Sequence, residues 1–148
     1  MQSFIFALVS SLLTDTTPAL AQYQPGVYTS SQEYVQNSPA QPGTVTNAAA
    51  ANPYLEVVHA TTYAVYRVPL THTWGYATKH GQTFRVVDNK HYHVLPQQNG
   101  LVMYSRQRPV QNGRYTQVLT EHFFSAGLDG KIRPLTKRAL RQQLAVAQ

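Results

Sequence analysis

Residues 81–95 read GQTFRVVDNKHYHVL, and this stretch decides the fold class. β-Branched and aromatic residues fill both halves. Asp88-Asn89-Lys90 between them is a tight hairpin signal. In the first half Phe84 and Val86 share a face. In the second half Tyr92 and Val94 share one face, while His91, His93 and Leu95 share the other.

The same rhythm runs outward. YLEVVHATTYAVYRVPL (54–70) is rich in β-branched and aromatic residues, and GLVMYSR (100–106) is a further strand. Pro109 and Asn112-Gly113 then break the run. TQVLTEHFFSAGL (116–128) and KIRPL (131–135) flank Asp129-Gly130, the favoured pair for a two-residue type I′ turn. Parallel pairing would need crossover helices, for which there is no room. The expectation is a mainly β domain over 54–148. About five to seven short antiparallel strands form a meander, as a curled sheet or a small open barrel.

The chain closes on a helix. Thr136 caps a segment from Lys137 to about Val146, with Leu140 and Leu144 four apart. So short a helix with so narrow a stripe is expected to persist only when packed on the sheet.

The first third reads differently. Phe4 to Leu13 is an apolar run too short to span a membrane, and Ala19-Leu20-Ala21 fits a small-x-small cleavage site. Residues 1–21 are therefore expected to be a signal peptide, making the protein periplasmic or secreted, although no Lys or Arg precedes the apolar run. Residues 22–53 are polar and rich in Pro and Ala. Within them 26–36 can be ordered, because Ser30 and Glu33 have capping-box spacing. Residues 37–52 read as a linker.

Composition removes several chemistries. The 148 residues suit one domain, and there is no cysteine. Thiol catalysis, thiolate metal sites and disulfides are excluded. Motifs for nucleotide binding, serine hydrolases and zinc proteases are missing. No catalytic residue, cofactor or nucleic-acid signature stands out. A non-enzymatic protein is the favoured reading.

Three groups remain as candidate sites. His91 and His93 aim to one side of a strand, and His122 from another strand would be a third metal ligand. A metal-binding protein or metal-dependent hydrolase is the alternative that follows; an ordinary polar strand face explains the same pattern. Lys131, Arg133, Lys137, Arg138 and Arg141 put five of the twelve basic residues within eleven positions. Such a patch can hold an anionic envelope polymer, a glycan or an acidic protein, or can be a solvated helix face. Trp74 and Tyr76 in THTWGYATKHG (71–81) read as an aromatic recognition loop, or as rings plugging one end of the sheet.

The order of these pieces resembles a family of small exported proteins of Gram-negative bacteria, uncharacterised and without an assigned activity. The resemblance rests on Gly26 to Tyr28, Trp74 to Tyr76, Gly81 to Arg85, Tyr92, Phe124-Ser125, Gly130, and Pro134 to Thr136. It covers about 26–36 and 63–145, and departs at the polar segment 37–53. It implies export and one β-rich domain ending in a helix.

Overall fold

The computed structural model describes residues 22–49, 51–98 and 100–146. The expected signal peptide, 1–21, lies outside them. The elements are β1 (Gly26–Tyr28), α1 (Ser31–Val35), β2 (Gln41–Pro42), β3 (Thr44–Asn47), β4 (Tyr54–Val58) and β5 (Val65–Pro69). There follow β6 (Gly75–Ala77), β7 (Thr83–Val87), β8 (Lys90–Gln98), β9 (Leu101–Asn112), β10 (Tyr115–Ala126), β11 (Arg133–Pro134) and α2 (Lys137–Val146). No helix among the described residues is long and apolar enough to cross a membrane.

The class is mainly β and antiparallel, as expected, and the described strands form two sheets with no closed barrel. One sheet has eight strands in the order β11-β10-β9-β8-β7-β6-β1-β2. The other has three, β3-β4-β5. The strand count exceeds the expectation because several strands are only two to four residues long.

The 81–95 hairpin forms as read. Asp88 and Asn89 both take positive φ, 50° and 59°, and Val87 pairs with Lys90 around them. That is the two-residue primed turn, whose twist matches that of the strands. Asn112-Gly113 ends β9 and turns the chain into β10: Asn112 pairs with Tyr115, and Gly113 has φ 62°. Pro109 is absorbed inside β9, opposite Val118, where no further strand claims its missing N–H.

The Asp129-Gly130 turn does not form. Phe124 pairs with Arg133, and residues 127–132 make a longer loop between them. Leu128 and Ile132 explain this, because both pack beneath the sheet with Tyr92, Val102 and Tyr104. A two-residue turn would hold them away from that core.

The segment 37–52 is not a plain linker. It supplies β2 and β3, and Val45 and Ala48 pack on the core shared by the two sheets. Gly43 permits the crossing between them. Its φ is +149°, and a Cβ there would lie 2.4 Å from the Val58 carbonyl oxygen.

Each face of the long sheet has its own cover. Val27, Tyr76 and Val86 face the three-stranded sheet and meet Leu55, Val57 and Val68. Tyr28 and Ala77 face the opposite way and meet Tyr34 of α1 and Trp74. The Ser30 hydroxyl accepts from the Glu33 N–H at 3.2 Å, as the capping-box spacing predicts. The reciprocal contact shifts by one residue: the Glu33 carboxylate accepts from the Thr29 N–H and hydroxyl, each at 2.7 Å.

α2 spans the expected residues, and the Thr136 hydroxyl accepts from the Ala139 N–H at 3.1 Å. Its packing is slight: none of its residues is fully buried, and Ala139, Leu140 and Gln143 are half-buried.

Candidate functional site

Strand register gathers the histidines into a row of rings. Tyr76 of β6 pairs with Phe84 of β7, Phe84 with His93 of β8, His93 with Ser105 of β9, and Ser105 with His122 of β10. Directly paired residues point to one face, so all five share it. Tyr76 stacks on Phe84 with centroids 5.1 Å apart, and Phe84 meets His93 at 5.2 Å. His91, two residues before His93, meets Tyr76 edge-on at 5.6 Å.

Tyr76, Phe84, His91 and His93 line a cleft of about 620 Å³, which Ala48 also borders. Thr78, Gln82, Ser105 and Gln107 contribute to its walls, and among the described residues no Asp or Glu lines it. Tyr76 itself is buried, while Phe84, His91 and His93 remain half-exposed.

The Tyr76 hydroxyl and His91 Nδ1 are 2.9 Å apart. Burial holds the Tyr76 hydroxyl well above the usual tyrosine range. Burial also lowers the His91 imidazole, with the positive charge of Arg106 adding to the effect. His93 is lowered by burial. Both rings therefore stay neutral at physiological pH. The second ring nitrogen of His91, Nε2, is buried with no hydrogen-bond partner among the described residues. Either tautomer leaves one unmet polar atom at the cleft wall: an N–H if Tyr76 donates, a lone pair if it accepts.

The metal expectation lacks its third ligand. His122 is exposed and separated from His93 by the intervening Ser105 strand. Among the described residues, no three His, Asp or Glu side chains converge. A catalytic zinc needs three protein ligands, and a structural one needs four.

Trp74 and Tyr76 do not sit on an exposed loop. Gly75 lets β6 approach β7 closely, since a Cβ there would lie 2.3 Å from the Phe84 carbonyl oxygen. The resulting strand turns Tyr76 into the inter-sheet core and Trp74 against Tyr34, with ring centroids 4.8 Å apart. The Trp74 indole N–H donates to the Leu128 carbonyl at 3.3 Å. Trp74 anchors the 127–132 loop.

The basic residues are as open as their positions in sequence imply. Lys131, Arg133, Lys137, Arg138 and Arg141 are all exposed. Among the described residues the ion pairs are Arg67–Glu56 and Arg108–Glu121, so none of the five is paired.

One constellation escaped the reading of the sequence. Arg85 is buried, and its Nη1 donates to the Tyr104 hydroxyl at 3.0 Å and to the Gly130 carbonyl at 2.9 Å. Tyr104 and Ser125 hydroxyls lie 2.8 Å apart, and Ser125 donates to the Gly127 carbonyl at 2.7 Å. The available signal was an arginine between Phe84 and Val86, inside an otherwise apolar strand.

No family model matches the chain, and no curated protein or solved structure matches it either. The functional reading rests on the geometry.

Proposed function

We propose that the protein is a non-enzymatic binding protein acting outside the cytoplasm, and that its ligand is an anionic glycan of the envelope. The observation that carries this is the cleft: half-exposed Phe84 and His93 rings beside amide and hydroxyl side chains and the cations Lys90, Arg106 and Arg108, with no carboxylate among the described residues. Flat rings pack against the C–H faces of sugars, while amide and hydroxyl groups satisfy ring hydroxyls. The five unpaired cations at 131–141 add long-range attraction for a negative polymer, which salt weakens. Tyr76 supports the cleft from below, and Trp74 has no part in it.

Titration calorimetry with a soluble uronic-acid polymer and a neutral glucan tests the reading. The anionic polymer should bind. His93→Ala should weaken binding at every salt concentration, whereas Arg138→Ala with Arg141→Ala should weaken it chiefly at low salt. Failure of both polymers to bind, or binding indifferent to His93→Ala, overturns it.

A further inference from the structure

The last hairpin is longer than the sheet that carries it. β8 pairs with β9 only as far as Ser105, and β11 pairs with β10 only at Phe123 and Phe124. From Arg106 to Glu121 the β9–β10 pair is therefore a two-stranded ribbon with both edges open. Every residue of 107–120 is exposed except the half-buried Val110. Such a ribbon is marginal in water by itself.

The two open edges differ. β9 carries Arg106, Arg108 and Pro109, which are devices that discourage edge pairing. β10 carries Tyr115-Thr116-Gln117-Val118-Leu119-Thr120, six residues with no charge, proline or glycine. Its register against β9 runs without a bulge from Tyr115 to Ala126. Tyr115, Val118 and Leu119 are 77 %, 60 % and 44 % exposed. In a chain with twelve basic residues, this is an uncharged, strand-forming edge left unprotected.

We infer that the β10 edge pairs antiparallel with the β10 edge of a second copy. The charges favour that occupant. The stretch itself is neutral, so two copies meet there without like charges opposed. Antiparallel pairing centred on Val118 sets each Val118 beside its own copy and brings Arg114, at one end of each stretch, near Glu121 at the other end of its partner. β11 closes the edge at Phe123 and Phe124, so pairing stops where the eight-stranded sheet begins. The contact is isologous and closes on itself, giving a dimer and not a fibre. Each dimer presents two clefts and two basic segments, which raises avidity for a repeating polymer.

Sedimentation velocity over a concentration series, together with single-cysteine variants, tests the inference. The protein should sediment as a concentration-dependent dimer. Val118→Lys, at an exposed position, should weaken dimerisation about tenfold or more by opposing like charges across the edge. Gln107→Lys, which adds the same charge on the β9 strand, should leave it unchanged. The chain has no cysteine of its own, so Val118→Cys should give disulfide-linked dimers under mild oxidation, and Gln107→Cys should not. A monomer at every concentration overturns the inference and leaves the edge to a strand of another protein. A dimer equally sensitive to both lysines, or to neither, overturns it too.

Discussion

The Arg85 guanidinium donates to the Tyr104 hydroxyl at 3.0 Å in the buried layer beneath the 127–132 loop. No carboxylate neutralises it among the described ion pairs. Oxygen dipoles do so instead, and the chain of donors runs one way. Arg85 gives to Tyr104, Tyr104 to Ser125, and Ser125 to the Gly127 carbonyl. Arg85 also holds the Gly130 carbonyl at 2.9 Å. Tyr104→Phe removes the middle link and leaves Arg85 Nη1 only a 3.5 Å contact to Ser125 Oγ in its place. It should cost about 1–3 kcal/mol. Arg85→Met should cost at least as much and release the loop, which the fluorescence of the single Trp74 reports through its bond to Leu128. Chemical denaturation measures both. A Tyr104→Phe protein as stable as the parent would mean that water replaces the hydroxyl.

Gly43 makes a sharper case. Its φ of +149° is open to glycine alone, and an added Cβ would meet backbone, which cannot step aside as a side-chain end can. Gly43→Ala should cost about 2 kcal/mol or more, because strain and displacement of β3 from β4 add. Hydrogen exchange should locate the loss at Thr44–Asn47 and spare the β9–β10 ribbon. Uniform loss across the chain would contradict a local effect.

The hairpin cores were legible in the sequence because alternation and turn chemistry agree at 81–95. The class and α2 followed from the same kind of local signal. The 127–132 loop was not legible: Asp129-Gly130 is a favourable turn locally, but Leu128 and Ile132 gain more by reaching Tyr92 and Tyr104. The strands β2 and β3 were hidden for a similar reason. Their pairing partners lie elsewhere in the chain, and Val45 is the single bulky aliphatic residue of β3. For the cleft, the shared face of His91 and His93 could be read. What stood opposite them could not, since Tyr76 and Phe84 arrive through register between strands.

Acid should destabilise the fold, and the sign follows from the histidines. The folded-state values of His91 and His93 lie below the ordinary 6.5, chiefly through burial. The unfolded chain therefore takes up protons first as pH falls. Stability is complete above about 6.5 and declines as pH drops through and below that value. Thermal melts from about pH 7.5 down to about pH 5 stay above most carboxylate titrations and isolate this contribution. His91→Phe should flatten the dependence. An unchanged slope would assign it to other groups.

The C-terminal helix separates stability from binding. α2 is capped by Thr136, yet none of its residues is fully buried, and Leu144 remains 42 % exposed. A helix of ten residues gains little from propensity alone, so it contributes almost nothing to the fold. Truncation before Lys137 should change the unfolding free energy by no more than about 0.5 kcal/mol, the usual range for surface changes. The same truncation removes Lys137, Arg138 and Arg141, three of the five unpaired cations of 131–141. Affinity for an anionic polymer should fall and its salt dependence should flatten, while the His93-dependent part of binding persists. A truncated protein that melts much earlier would show that α2 packs in solution, and its cations would then have to be tested by substitution alone.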